Sequence, residues 1–525
     1  MDLFQILTIL IFLSATLVGI AQKLGVPYPV MLVLGGIAIG FIPGFEPIYF
    51  DPNLILIIVL PPILYSAAFL ISFHEFKDNW REIFSLALGL VALTTFVVAL
   101  LFKWLFPHYS WGLAFAFGAI VSPPDSVAAT TILKRFSISP RLLTILEGES
   151  LINDASALVL YKLAIASIFS GAFSWADASL EFVKVTAGGT VVGLLCGIVL
   201  QHFSRRFLDS VTAVLFSFTI PYVTFVIAQY FDVSGVLAVV VCGLIGSRLL
   251  ATHPSARRRV LGFAFWDLFT LFMNCFIFIL IGLQLRKFVN VMTAHQIALY
   301  VAYACLITLV LILIRLIWVY TRSGFAYYKA VKNPPIQQPY PKILQEATLL
   351  GWAGMRGIVS LTAAIAIPYI SPFESPIEGR NEAIFITFVV ILITLLLPST
   401  TLPSLIHWMK LEHREDHQIV HHVRKILTQV AKDKVAKFHH EQQISEKEYQ
   451  SLIQYFTSQR YIHEISHSTL KKLSNVEKVR LKVFQAQRNK LIRMWENQEI
   501  DDRLFRQLEH ELDVEESHTT RAELT

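Results

Sequence analysis

Glu149 and Asp154, with Glu147 nearer the start, stand inside Leu142 to Ser170, a stretch otherwise apolar enough to cross a bilayer. Even lenient insertion scales put about 2.5 to 3.5 kcal/mol on an Asp at the centre of a membrane helix, so such groups are kept for a use. An ionised oxygen at that depth can hold a cation or a proton, or tie its helix to another through a basic partner. On a helix, Ser150 and Asp154 are four residues apart and share a face, and Glu149 and Asn153 share another. Asp154, with help from Ser150 and Asn153, is therefore assigned to an ion cavity, whereas Glu149 should turn towards a cation on another span. Arg315, in an apolar segment several residues above its basic end at Arg322, is the candidate. That pair would be structural, because a guanidinium stays protonated and keeps its partner ionised. Asp125 and Arg356 fall at similar depth in other spans, which points to a site rather than a single tie.

The elements that position these residues follow from composition. With 55% hydrophobic residues, 16% charged and a mean hydropathy of +0.58, residues 1–410 cannot be a water-soluble core, since a soluble protein is about 25% charged. Apolar segments begin near Leu3, Tyr28, Pro52, Ile83, Trp111, Leu142, Phe182, Ser210, Val233, Leu261, His295, Leu344 and Glu382. The reading is an all-α polytopic membrane protein of about thirteen transmembrane helices. If the N-terminus is outside, Lys77 and Arg81, Lys134, Arg135 and Arg141, Arg205 and Arg206, and Arg257 to Arg259 all fall in cytoplasmic loops. The bias recurs loop after loop and places the C-terminus in the cytoplasm. A sequence pI near 9.0 therefore describes the inner face and does not argue for nucleic acid. The first segment lacks a basic n-region and reads as a retained helix rather than a signal peptide. Cys196, Cys242, Cys275 and Cys305 each lie alone in a different span, so they form neither a disulfide framework nor a metal site.

Two of the segments are interrupted. Trp111 to Lys134 carries Ser122-Pro123-Pro124-Asp125 at mid-depth, and Leu344 to Ile370 carries Gly351 to Gly357 at mid-depth, seven spans later. An odd offset inverts the second relative to the first, and interrupted helices at matching places in inverted halves point to a transporter site at the midplane. The prolines remove backbone donors and the glycines ease non-helical backbone, so both spans should unwind at the centre. Asp125 and Arg356 can then neutralise the half-helix ends left in the membrane.

Residues 411–525 are polar, free of Gly and Pro, and helix-favouring: a cytoplasmic helical tail distinct from the transmembrane domain of residues 1–410. The tail leans basic to about Arg493 and acidic from Glu496 to Glu523, which favours charge pairing between its halves or with a partner. Eleven of the sixteen histidines lie after residue 400, among them His421, His422, His439 and His440, and histidine titrates near neutral pH. His463-Glu464-Ile465-Ser466-His467 matches H-E-x-x-H, but a catalytic zinc needs a third ligand and a water-excluding domain. It reads as a chance match. With no intramembrane charge, the tail should be dispensable for ion binding and serve to control when the protein works.

The run Gly118 to Thr130 around Ser122-Pro123-Pro124-Asp125, the block Glu147-Gly148-Glu149-Ser150-Leu151-Ile152-Asn153-Asp154, and Gly354-Met355-Arg356-Gly357 resemble the signatures of the monovalent cation:proton antiporter-1 family. That family includes bacterial sodium/proton antiporters and the animal sodium/proton exchangers. The resemblance covers the whole membrane region, and Glu499-Ile500-Asp501-Asp502 and Glu509 to Asp513 in the tail resemble C-terminal segments of bacterial members. Where many relatives place Thr before and Pro after the first-motif Asp, this chain has Pro124 and Ser126.

The resemblance implies a homodimer in the cell membrane, with a scaffold domain and a moving core domain whose two unwound helices cross beside Asn153 and Asp154. It also implies a secondary transporter, not an enzyme, that exchanges Na+ for H+ in pH homeostasis with no cofactor beyond the transported ions. Asp154 would bind the cation or the proton, with Na+ held by hard oxygens of Asp154, Asp125 and Ser150. Burial disfavours the bare charge, and either a proton or a cation removes it, so the two compete for one site. Asn153 is neutral, and one titrating carboxylate at the pair suggests electroneutral exchange. The same residues suit Li+ or K+, and K+/H+ exchange is the nearest rival. A cation channel or uniporter with the same acidic ring would conduct current. An intramembrane aspartyl protease using Asp125 and Asp154 would need Tyr-Asp and Gly-x-Gly-Asp, which the sequence lacks.

Overall fold

The computed structural model describes residues 3–42, 57–71, 73–136, 138–170, 175–207, 209–251, 256–286, 289, 292–332, 340–368, 377–409, 417–457, 475–497 and 499–520. All regular elements among them are helices: α1 (Leu3–Leu24), α2 (Tyr28–Gly40), α3 (Leu60–Leu70), α4 (Phe73–Asp78), α5 (Trp80–Leu105), α6 (Trp111–Val121), α7 (Ser126–Leu133), α8 (Pro140–Ser170), α9 (Trp175–Phe207) and α10 (Ser210–Tyr230). They continue as α11 (Gly235–Ala251), α12 (Ala256–Leu283), α13 (Ala294–Lys332), α14 (Tyr340–Trp352), α15 (Ile358–Ile365) and α16 (Arg380–Met409). The tail adds α17 (His417–His440), α18 (Glu446–Thr457), α19 (Asn475–Glu496) and α20 (Asp502–Thr520). Seven of the described helices are long and apolar enough to cross a membrane by themselves, and five shorter apolar helices accompany them. The His463 to His467 motif and the 410/411 boundary lie outside the described residues.

Sequence explains why some apolar segments are short. Between α6 and α7 the chain leaves the helix over residues 122–125, where Pro123 and Pro124 lack the N–H that the helix needs. Between α14 and α15 it does so over residues 353–357, which hold Gly354 and Gly357. Close approach demands both glycines. A Cβ at Gly357 would collide with the Asp125 carboxylate, and one at Gly354 would lie 2.6 Å from Cδ of Arg315. The two breaks touch: the Asp125 N–H donates to the Met355 carbonyl at 2.6 Å, a single antiparallel bridge. Helix α5 widens into a π-helix over Ser85–Leu90, and the Ser156 hydroxyl of α8 donates to the Ala87 carbonyl there at 2.7 Å. A π-turn frees a carbonyl in this way and is frequent beside functional sites.

Apolar packing divides into three clusters. One centres on α5 to α8 and α13 to α16 and extends to α2 and the end of α12, with Phe102, Phe117, Phe278 and Phe388 fully buried. A second joins α3, α10, α11 and the middle of α12 around Tyr65 and Trp266, whose ring centroids are 5.0 Å apart. The third lies in the tail, where Val423, Leu427, Val483, Phe484, Leu491 and Trp495 pack together and Phe505 stacks on Trp495 at 4.6 Å. The tail's basic and acidic parts do pair with each other. Arg424 reaches Glu511 at 2.7 Å, and buried Arg488 reaches Asp513 at 2.8 Å and also Glu516.

Candidate functional site

Helix α8 presents two carboxylates in opposite circumstances. Glu149 is fully buried, and Arg315 of α13 grips both its oxygens, with Nη2 to Oε2 at 2.7 Å and Nη1 to Oε1. The same guanidinium donates through Nε to the Leu350 carbonyl at 3.0 Å, so one side chain ties α8, α13 and α14 together. Asp154 is half-buried and lines a cavity of about 670 Å³, with no hydrogen bond or ion pair among the described residues.

The breaks are held by the residues the sequence singles out. Asp125 precedes α7 and its Oδ1 accepts from the Val127 N–H at 2.8 Å, so a negative group faces that helix's free N-terminal donors. Ser150 Oγ accepts from the Ser126 N–H at 3.2 Å and serves the same helix start. Buried Arg356 lies at the opposite kind of end: its Nε donates to the Val121 carbonyl closing α6 at 3.2 Å, and its Nη1 donates to the Gly354 carbonyl at 2.6 Å. Asp125 and Ser150 line the cavity with Asp154. Asn153 does not line it. It is fully buried and donates through Nδ2 to the Pro124 carbonyl at 2.9 Å, while its Oδ1 has no hydrogen-bond partner among the described residues. Ser122 is likewise buried outside the cavity wall and donates to the Ala119 carbonyl at 3.1 Å.

Several wall residues were not singled out from the sequence. Asp267 and Asn274 of α12, Thr130 and Thr131 of α7, and Tyr28 of α2 all face the cavity. Asp267 had a signal, since it is a carboxylate inside an apolar segment, the criterion that identifies Asp154. Thr394 of α16 had none. Its hydroxyl accepts from the Arg356 N–H at 3.2 Å and donates to the Val390 carbonyl at 2.8 Å, which supports the second break.

The tail is also at this cavity. Lys134 and Glu147, paired at 2.9 Å and partly exposed, stand in the wall with Arg506, Glu509, His510 and Asp513 of α20. Burial pushes Glu509 up to about 7; Arg259 opposes the shift, and the Asp513 charge adds to it. Burial also pushes Glu515 up to about 8, against the pull of Arg480. Two tail carboxylates thus titrate in the neutral range that the sequence reading gave to histidines. Chemically, the cavity offers carboxylate, hydroxyl and amide oxygens, and its deep carboxylates, Asp125 and Asp154, have no basic partner among the described residues. Their charge is relieved by a proton or a hard cation.

Comparison with known proteins shows what the chain is similar to. The family model described as sodium/hydrogen exchanger, transmembrane, matches residues 9–408. An uncharacterized Na(+)/H(+) exchanger of Mycobacterium tuberculosis is 31% identical over 532 residues, covering 98% of this chain and 96% of that protein. A sodium, potassium, lithium and rubidium/H(+) antiporter of Bacillus pumilus is 32% identical over 392 residues, covering 72% of this chain and 58% of that protein. Among solved structures, the sodium proton antiporter MjNhaP1 from Methanocaldococcus jannaschii shares the fold, with a TM-score of 0.58 at 20% identity, over 76% of this chain and 100% of that one.

Proposed function

The chain belongs to the sodium/hydrogen exchanger family, and from that premise we propose that it exchanges Na+ for H+ by alternating access, with Asp154 taking the cation or the proton in turn. The observation that carries this reading is the contrast on α8. Glu149 is closed off by Arg315, whereas Asp154, five residues on, faces a cavity and has no partner of its own among the described residues. A carboxylate in that position is held ready for an exchangeable partner. Ser150 and Asp125 stand beside it as further oxygen ligands.

The crossing of the two breaks belongs to the same reading. Asp125 at the start of α7 and Arg356 at the end of α6 satisfy charge at interrupted helix ends, as a rigid ion-carrying unit requires. Counting each broken pair as one span gives the thirteen-helix arrangement, with the tail in the cytoplasm and two copies forming a dimer in the cell membrane. With Asp125 held at the start of α7 and Asn153 adding no charge, Asp154 is the one carboxylate that changes its partner in the cycle, and exchange is electroneutral. K+/H+ exchange through the same residues is the second reading, supported by the breadth of cations in the name of the Bacillus pumilus relative.

The test is purified protein in liposomes that contain a pH-sensitive dye, challenged in turn with Na+, Li+ and K+. Alkalinisation or acidification driven by a Na+ gradient and insensitive to membrane potential supports the proposal. Response to K+ alone transfers it to the second reading, and no cation-driven pH change under any gradient ends it.

A further inference from the structure

The last tail helix is fastened to one wall of the cavity. Arg259 of α12 is buried and holds Asp513 of α20 through two bonds, with Nε to Oδ2 at 2.9 Å, and also lies 3.3 Å from Glu509 Oε1. Arg488 of α19 reaches the same Asp513 at 2.8 Å, so one carboxylate joins the membrane region to the tail's interior. Arg506 of α20 donates to the Leu70 carbonyl and, at 2.7 Å, to the Ile71 carbonyl, the last acceptors of α3. It also lies over the Phe263 ring of α12 at 5.8 Å. These carbonyls are among those that a helix end leaves free, and a buried charge network of this kind has a definite geometry and loses much when one member is removed.

Both anchors, α3 and α12, line the cavity together with α7 and α8, the elements that position Asp125, Ser150 and Asp154. Helix α20 thus forms part of the wall of the cavity that also holds Asp154, through Arg506, Glu509, His510 and Asp513, and is fastened there to α3 and α12. We propose that α20 is a lid on the tail-side entrance, whose docking on α3 and α12 limits the access of cations to the cavity. The sequence reading, which made the tail dispensable for ion binding, took Arg257 to Arg259 as loop residues of the basic inner face. In the structure Arg259 is the attachment point.

This inference rests on the cavity being the cation path, and the experiment separates the two. In vesicles sealed with the tail outward, the full chain is compared with Arg259→Gln, Arg506→Ala and the double variant. Amide hydrogen exchange over Asp502 to Thr520 reports release of the helix. Arg424→Ala, which breaks only a tail-internal exposed pair, is the control. A second arm does the opposite: Phe263→Cys with Arg506→Cys, in a Cys305→Ser background, is bridged by a reductant-cleavable thiol cross-linker. The lid predicts a severalfold faster initial rate at low cation when α20 is released, a slower rate when it is tethered, and recovery on reduction. A released helix with an unchanged or lower rate overturns it. Tethering without effect overturns it as well, even if α20 stays docked in every loosening variant. An intact protein without any cation-driven pH change fails the transport reading instead.

Discussion

Glu149 and Asp154 are carboxylates of one helix, five residues apart and similar in sequence setting, yet their surroundings make them different chemical objects. Glu149 has both oxygens in the grip of a guanidinium that also serves a backbone carbonyl, so no exchangeable ligand has room to bind. Asp154 has a cavity where Glu149 has an arginine. The difference teaches that burial alone does not set a carboxylate's role; under the proposed function, what matters is whether the fold itself supplies the counter-charge, as it does for Glu149 and not for Asp154.

The strongest way to break this contrast is Asp154→Asn. It keeps the shape and removes the ionisable oxygen, so cation-driven proton flux should fall to that of empty liposomes while thermal stability stays near that of the unaltered chain. Retained flux would move the site, with Asp125 next in line. The same substitution class at the other carboxylate should give the reverse pattern. Glu149→Gln and Arg315→Gln each strand one buried charge, and each should cost about 3 to 5 kcal/mol of stability. The double variant should lose less than the two losses added together, as read from thermal unfolding in detergent. Strict additivity would show that the pair does not act as a unit.

A smaller effect is expected at Asn153, which lies between the two carboxylates and does neither job. Removing its amide by Asn153→Ala leaves the Pro124 carbonyl without its donor, a loss of about 1 to 3 kcal/mol for a buried polar group. The expected result is weaker apparent cation affinity with the maximal rate largely kept, because the break is loosened but Asp154 is intact. A fall in maximal rate alone, with affinity unchanged, would place Asn153 in the transport step itself.

How much of this was legible in sequence follows the same division. Charges inside apolar runs identify themselves, because hydrophobic context makes each one expensive; Asp125, Glu149, Asp154, Arg315 and Arg356 were read that way. The interrupted spans were legible from Pro123, Pro124 and the glycines near Arg356, whose backbone chemistry is local. What sequence did not disclose depends on which groups meet across the fold. The amide of Asn153 looked like a ligand because it neighbours Asp154, but a rotation of one residue along the helix turns it onto Pro124. Thr394 is one hydroxyl among many in apolar helices. The Arg259 to Asp513 contact joins residues 254 positions apart, and each end looked like an ordinary member of a charged run.

The last prediction carries the comparison to a third carboxylate, Glu509, which is partly supplied with counter-charge. The charged groups facing it are Arg259 of α12, Arg488 of α19, and Arg506 and Asp513 of α20. Burial outweighs their net attraction because Asp513 already occupies Arg259 with two bonds, and Glu509 is pushed up to about 7 from an ordinary 4.5. A carboxyl raised in the docked state binds its proton more tightly there than when released. Protonation therefore favours docking; that contribution is complete below about 4.5 and is lost as pH rises through about 7. Helix α20 should be held most firmly in acid and loosen towards neutrality, which raises exchange as the tail side becomes more alkaline. Glu509→Gln keeps the neutral form at every pH, so it should leave exchange near its acid level and flatten the rise between pH values of about 5 and 8, with amide protection of Asp502 to Thr520 flattened in parallel. If the variant keeps the pH profile of the unaltered chain, the titration that sets the profile lies elsewhere, and Glu515, pushed up to about 8 in the same helix, is the next group to replace.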